Sequence, residues 1–157
     1  MGAEDRISEL GLVLPDPPSP RANYVSAVRS GSLLFVSGHG PYRPDGSMTT
    51  GKVGGDLSLE EGRDAARLVG LNLLATLRRE LDSLDRVTRV VKVLGMVNCA
   101  PGFVDSPAVI NGCSDLLVEV FGAAIGSHAR SAVGVFELPF NIAVEVEMIC
   151  EVDENPT

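Results

Sequence analysis

The sequence predicts an α+β domain in which one mixed β-sheet carries two main helices on a single face. Apolar and polar residues alternate over 143–152, which is typical of a strand with one buried face. Two longer segments, 58–82 and 107–121, have the apolar spacing of helices. Strand-like runs stand at both ends of the chain and between the helices. The resulting order ββ, α, β, α, ββ is that of an α+β sheet.

The first 20 residues are expected to form a short helix and a linker. Residues 4–10 have amphipathic spacing, and the proline-rich segment 14–20 cannot continue a helix because each proline removes a donor and fixes φ. We therefore place the main domain at 21–153 and a tail at 154–157.

The next elements follow from turn and cap signals. Residues 24–29 and 32–37 flank the turn pair Ser30-Gly31, which predicts a hairpin. Residues 38–55 contain six glycines and two prolines, so we expect a long loop that borders a pocket. Ser58 followed by Glu61 has the spacing of a capping box, which predicts that a helix begins there and runs to about residue 82.

The C-terminal half is predicted to hold one central strand, one helix and a second hairpin. Residues 87–97 are β-rich, and a helix is expected from residue 107 or 108 to Phe121. Arg130 opens a strand that Pro139 breaks, and the last strand carries Glu145. If these strands pair, the arginine and the carboxylate face one pocket. The sheet face with Glu145 is left uncovered, either for solvent or for partner subunits.

Length and charge exclude several classes of function. The chain has 157 residues, enough for one domain with a core but not for two ordinary domains. Lys and Arg number 13 against 21 Asp and Glu, a net charge of −8, which opposes nucleic-acid binding. The most apolar helical window, 68–77, is about half the length that crosses a bilayer. We expect no nucleic acid and no membrane as partners. The acidic N-terminus lacks the apolar core of a signal peptide, so we expect a cytoplasmic protein.

Cysteine and histidine usage gives no metal pattern. The chain has an odd number of cysteines, Cys99, Cys113 and Cys150, and their spacing is not that of metal ligands. Only two histidines, His39 and His128, could join them in a metal site. We expect free thiols, no catalytic metal and no cofactor.

Arg130 is the strongest candidate for ligand binding from the residues alone. A guanidinium holds a carboxylate through two parallel hydrogen bonds, which suits a small organic acid. A structural ion pair at a strand end is the simpler alternative, and at this point both remain open.

Five segments of the chain stand in an order shared with one protein family. They are 23–39, 51–56, 84–98, 109–112 and 128–131. As an ordered set they resemble the Rid/YjgF family, also called L-PSP, over about residues 20 to 152. The resemblance implies a chorismate-mutase-like α+β fold that assembles as a homotrimer with ligand pockets between subunits. Archetypal members hydrolyse reactive enamines and imines from pyridoxal-phosphate enzymes to 2-oxo acids and ammonia.

The resemblance also implies roles for individual residues. Arg130 matches the arginine that grips the substrate carboxylate. Glu145 matches the acidic residue that positions the hydrolytic water, and beside an arginine it would stay ionised and be a weak base. Tyr24 matches the aromatic residue that closes the pocket from a neighbouring subunit, although a packing tyrosine is equally consistent.

Two further segments match less specifically. Ser37 and Gly38 match the segment whose backbone borders the pocket, where a missing side chain permits close approach. Asn111 is either a polar contact at the edge of a helix or a local cap.

Three departures separate the chain from the archetype. Ala132 stands where many members have cysteine, so main-chain contacts there survive but a thiol nucleophile does not. His128 stands where proline is usual, as a surface residue or a titrating contact. The approach to the arginine, 122–127, differs in length. These features place the chain in a divergent branch.

The leading hypothesis is a cofactor-free hydrolase of small 2-imino and 2-enamino acids. Arg130 would bind the carboxylate, Glu145 would position water, and backbone near Gly38 and Ala132 would complete the site. The alternative is a non-catalytic trimeric module that binds a carboxylate-bearing metabolite or a partner protein. A ribonuclease or translation inhibitor comes third because the chain is acidic.

Overall fold

The computed structural model describes residues 1–17, 19–20 and 22–153. The predicted tail 154–157, and Pro18 and Arg21 at the predicted linker boundary, lie outside these residues. The helices are α1 (Ala3–Glu9), α2 (Leu59–Leu81), α3 (Ser106–Phe121) and α4 (Ala123–Gly126). The strands are β1 (Ala27–Ser30), β2 (Leu33–His39), β3 (Val87–Asn98), β4 (Ala129–Val135) and β5 (Val144–Val152). Two short 3-10 turns, Leu84–Arg86 and Pro139–Asn141, complete the described elements.

The strands form one mixed sheet in the order β1-β2-β5-β3-β4. The predicted first hairpin is confirmed, since β1 and β2 pair antiparallel with Ser30 opposite Leu33. The predicted second hairpin is wrong, because β3 lies between β4 and β5 and pairs in parallel with β4. The long strand β3 thus has a hydrogen-bonded neighbour on each of its two edges. The connection over 136–143 is long enough to pass the end of β3 and join β4 to β5, a distance of about two strand spacings.

The helices α2 and α3 cover one face of the sheet, as predicted. The capping box is present, with the Ser58 side chain accepting from the backbone N–H of Glu61. The two helices lie close together at Gly112, where an added Cβ would lie 2.1 Å from the carbonyl oxygen of Arg63. Only glycine permits this contact, and it fixes α3 against α2. Gly122, with φ of 75°, ends α3, and the short helix α4 that follows it was not predicted.

The buried face of β5 is also as predicted. Its apolar positions all lie in the core, namely Val144, Val146, Met148, Cys150 and Val152. The alternate positions form an open face that no described segment of this chain covers fully. This face is mixed: its apolar residues are Val28 (55% exposed), Phe35 (42%), Val133 (44%), and the partly exposed Leu94, Met96 and Ile149. Beside them, β5 in the middle of the sheet places Glu145, Glu147 and Glu151 on the same face.

The N-terminal helix packs against the domain. Glu4 accepts two hydrogen bonds from Arg78 of α2, at 3.1 and 2.5 Å, and one from the backbone N–H of Leu84 at 2.9 Å. Ala3 and Ile7 are buried. The segment after α1 is therefore anchored on one side as it runs toward the sheet.

Candidate functional site

The predicted site residues fall into two separate groups in the structure. Tyr24, Ser37, Gly38 and Glu145 line one large pocket. Arg130, Asn111 and Ala132 lie on or beneath the edge strand β4, outside that pocket.

The pocket has a volume of about 820 Å³ and opens between the linker and the sheet. The end of β2, the loop that follows it and the Pro139–Asn141 turn supply its other walls. Tyr24 is 48% exposed and Phe140 61% exposed at its rim. Its charged lining residues are Asp16, Arg43, Glu145 and Glu147. The long glycine-rich loop thus borders a pocket, as expected.

Gly38 lies against the side chain of Glu145 in the pocket wall. A Cβ added at Gly38 would lie 2.1 Å from Oε1 of Glu145, so the carboxylate rests against the glycine backbone. The register between β2 and β5 shifts between Val36 and His39, which leaves Ser37 and Gly38 in a bulge. Bulges of this kind re-aim side chains and recur next to active sites. The side chain of Ser37 donates to the carbonyl of Val25 at 2.7 Å and ties the segment just before β1 to the sheet.

Glu145 is a stronger base than the sequence led us to expect. Burial raises the pKa of its carboxyl, and the neighbouring Glu147 raises it further. We had expected an arginine beside Glu145 to keep it ionised and weakly basic. That expectation is wrong for the single chain, because Arg130 lies elsewhere. A carboxylate with a raised pKa is better suited to accept a proton near neutrality.

His39 and Asn72 line the pocket, with Thr76 hydrogen-bonded to His39, and the sequence reasoning assigned none of these three residues to the site. Nδ1 of His39 donates to the carbonyl of Ser37 at 2.7 Å, so the neutral ring accepts at Nε2 from the Thr76 hydroxyl, also at 2.7 Å. Burial lowers the pKa of His39, which favours this neutral form. Asn72 donates to the carbonyls of Gly40 and Tyr42, each at 3.0 Å. The signal was present, since Asn72 and Thr76 are polar residues four apart in the otherwise apolar window 68–77.

Arg130 is held by α3. Its Nη1 donates to Oδ1 of Asn111 at 2.8 Å and to Oγ of Ser114 at 3.2 Å. Within the described part of the chain the guanidinium makes no other hydrogen bond or ion pair, so Nε and Nη2 remain available to a ligand. Asn111 lies inside α3 and contacts Arg130, so it is a polar contact and not a helix cap. Among the residues that the structure describes, Arg130 does not form the structural ion pair that was the alternative reading.

Ala132 lies two residues beyond Arg130 on β4. It pairs with Gly95 of β3 and packs partly buried against the core. Its methyl group therefore faces the helices. Any contribution to a site comes from its main chain, as expected for a chain without the cysteine.

Within one chain Arg130 and Glu145 do not share a pocket. Arg130 pairs with Val93, which is fully buried under the helices, whereas Glu145 pairs with Met96 on the open face. Two strand spacings and three residues along β3 separate their Cα atoms, roughly 14 Å. The shared pocket that we inferred from a hairpin is wrong for the single chain, for the same reason that the hairpin is wrong.

His128 lies behind Arg130 and is half buried, not a free surface residue. The cysteines are free, as predicted. Burial raises the pKa of the Cys113 and Cys150 thiols to about 12, so both stay protonated and unreactive. The described residues contain no group of three or more His, Cys, Asp or Glu side chains placed to hold a metal ion. Among those residues no helix combines the length and apolarity needed to cross a membrane.

Comparison with known proteins places these features in a family. The family model described as "YjgF/chorismate mutase-like, putative endoribonuclease" matches residues 4–152. The chain is 45% identical to protein TCP17 of Trypanosoma cruzi over 94% of this chain and 92% of that protein. It is 31% identical to the 2-iminobutanoate/2-iminopropanoate deaminase of Dermatophagoides farinae over 88% of this chain and 93% of that protein. The crystal structure of protein Atu1372, of unknown function, from Agrobacterium tumefaciens superposes with a TM-score of 0.86 at 41% identity. That match covers 96% of this chain and 92% of that one.

Proposed function

Because the chain belongs to the YjgF/chorismate mutase-like family, we propose that it hydrolyses small 2-imino and 2-enamino acids to 2-oxo acids and ammonia. The observation that carries the proposal is the pair of half-sites on one chain. One half offers a guanidinium with two free nitrogens, and the other offers a carboxylate with a raised pKa in a pocket. A relative of 31% identity is named as a deaminase of such imines.

The two half-sites complete each other only between copies of the chain. We infer a homotrimer in which the β4 edge of one copy, with Arg130 and Asn111, meets the pocket of the next copy. The open sheet face supports this assembly, since its apolar residues, among them Phe35 and Val133, are exposed in one chain. In such an interface Tyr24 closes the site from the pocket side.

Arg130 anchors the substrate in this proposal. Its free Nε and Nη2 can take both oxygens of a carboxylate, and Asn111 holds Nη1 from behind. Two hydrogen bonds to the carboxylate fix the position of the imine carbon relative to the pocket. Because the substrate has then already lost its rotational freedom on binding, the activation free energy of hydrolysis is lower.

Glu145 activates the water. Water adds to the C=N carbon of the protonated imine, one proton of the water passes to the Glu145 carboxylate, and the imine nitrogen becomes a neutral amine. The carboxyl returns the proton to that amine, ammonia leaves, and the remaining hydroxyl loses its proton to give the 2-oxo acid. Atoms balance with one water consumed for each ammonia released. The raised pKa of Glu145 suits both proton transfers near neutral pH.

Purified protein incubated with a pyridoxal enzyme that generates 2-aminoacrylate tests the activity. Accelerated release of pyruvate over the spontaneous rate supports the proposal, and Glu145→Gln should abolish the acceleration. Saturable binding of 2-oxobutyrate without acceleration would identify a carboxylate-binding module instead.

Light scattering tests the assembly separately. Three chains of 16.5 kDa give a trimer of about 50 kDa. A small 2-oxo acid should oppose its dissociation on dilution, because a ligand that binds only the assembled state stabilises it. A monomer at micromolar concentration, with and without ligand, would overturn sites between copies.

A further inference from the structure

A histidine stands behind Arg130 and is joined to it through one serine hydroxyl. Ser114 Oγ lies 3.2 Å from Nη1 of Arg130 and 3.0 Å from Nε2 of His128. Nδ1 of the same histidine lies 2.6 Å from the carbonyl oxygen of Gly126, where α4 ends. The four groups form one chain of hydrogen bonds from the α4 terminus to the guanidinium.

The chemistry of the groups sets the direction of each bond. A carbonyl only accepts, so Nδ1 of His128 donates to Gly126. In a neutral ring Nε2 then accepts, and the donor is the hydroxyl of Ser114. That orientation turns the serine lone pairs toward Nη1 of Arg130, which always donates.

The surroundings of His128 favour the neutral ring on which this orientation depends. Burial lowers the pKa of His128, and the charge of Arg130 acts in the same direction. A charged ring would donate at both nitrogens and compete with Arg130 for the serine oxygen.

We propose that Ser114 and His128 are positioning residues that hold Arg130 in the orientation that binds the substrate carboxylate. This inference rests on the proposed function. With Nη1 fixed by both Asn111 and Ser114, the guanidinium plane cannot rotate freely, and Nε and Nη2 point to one side. A side chain ordered before binding loses less entropy when the ligand arrives. His128 acts through Ser114 and touches no substrate.

Three variants and one control test the relay. Ser114→Ala removes the acceptor, Ser114→Thr restores a hydroxyl, and His128→Phe keeps a ring but removes its nitrogens. The control is Ser127→Ala, since Ser127 is exposed and adjacent to His128. The readouts are the Kd of 2-oxobutyrate by calorimetry, kcat and KM for imine hydrolysis, and the order of the Arg130 Nε–H by NMR relaxation without ligand.

Ser114→Ala and His128→Phe should each raise Kd and KM about three- to tenfold, because Arg130 keeps its charge and its bond to Asn111 and loses only part of its ordering, while kcat changes little. Ser114→Thr should restore affinity, and Ser127→Ala should match the wild type. In the Ser114→Ala background, His128→Phe should add nothing, because its effect passes through the serine. Both single variants should loosen the Arg130 Nε–H.

The outcomes separate this inference from the proposed function. If the wild type binds 2-oxobutyrate and Arg130→Ala abolishes binding, yet Ser114→Ala keeps wild-type affinity and Arg130 order, the relay is overturned and the function stands. If the wild type binds no 2-oxo acid but Arg130 loosens in both variants, the proposed function falls and the positioning of Arg130 survives. Additive effects of the two substitutions would exclude action through Ser114.

Discussion

The substitution Gly38→Ala should displace the Glu145 carboxylate while leaving the carboxylate group itself unchanged. The new Cβ would lie 2.1 Å from Oε1, and an ordinary contact begins at 3.4 Å, so the carboxylate must retreat by at least 1.3 Å, the difference between these distances. The obstacle is the far end of a flexible side chain, and the φ angle of Gly38 is not in the left-handed region. Stability should therefore change by less than about 1 kcal/mol, and a smaller unfolded-state entropy even favours alanine.

The effect on catalysis should be much larger than the effect on stability. A misplacement of about 1 Å can lower a rate about 100-fold, so kcat for imine hydrolysis should fall between 10- and 100-fold while Kd for 2-oxobutyrate stays nearly constant. The assays are coupled pyruvate release, calorimetry and thermal melting.

Gly55→Ala provides the matched control. Gly55 does not line the pocket, and its added Cβ would meet the Ala100 side chain at 3.1 Å and the carbonyl oxygen of Lys52 at 3.7 Å, an ordinary contact distance. It should leave kcat unchanged. A Gly38→Ala protein with kcat within twofold of the wild type would mean that Glu145 is not placed for the chemistry.

Further predictions concern the anchor, the base, the thiols and the helix contact. Arg130→Ala should leave the fold intact yet weaken 2-oxobutyrate binding by about 1.5–3 kcal/mol in calorimetry, the range for a charge-assisted hydrogen bond; unchanged affinity would remove Arg130 from the site. At pH values above the raised pKa of Glu145, Glu145→Gln should stabilise the protein by less than about 1 kcal/mol, because a partly buried, ionised carboxyl destabilises the fold. On acidification the wild-type carboxyl becomes protonated and the gain should vanish. Thermal melting at several pH values checks this prediction. Replacing all three cysteines by alanine should not abolish turnover in any variant that folds, since none lies beside Arg130 at the position that Ala132 occupies. Gly112→Ala should destabilise by several kcal/mol in denaturant titration, because its Cβ would lie 2.1 Å from a backbone oxygen that cannot move alone; a loss below 1 kcal/mol would contradict the close helix contact.

Local signals predicted the elements well, but they did not predict which strands pair. The capping box at Ser58 and Glu61, the turn at Gly31 and the helix end at Gly122 each depend on a few neighbouring residues. The partner of β4 depends instead on the position of the long strand β3, which is distant in sequence. A short connection made a hairpin the natural choice, and nothing local to 128–152 indicates that another strand is inserted.

The individual site residues were predicted, but their separation into two groups on the chain was not. The resemblance identified Arg130 and Glu145, and the error over the hairpin brought them into one pocket. Their actual faces follow from the register on β3, which places one opposite Val93 and the other opposite Met96. Contacts between a strand and a helix, such as Arg130 of β4 with Asn111 of α3, join residues that no sequence spacing relates.

The separation of Arg130 from Glu145 within one chain has a chemical consequence. An arginine within about 4–6 Å would lower the pKa of the carboxyl and weaken it as a base. On opposite faces, each group keeps the property that the proposed reaction needs: the guanidinium stays free for a carboxylate, and burial keeps the pKa of Glu145 raised. In the assembly that we propose, the substrate carboxylate would neutralise the arginine that approaches the pocket. The anchor and the base could then serve one substrate without pairing with each other. The proposed interface would thus keep an acid and a cation apart until the substrate lies between them.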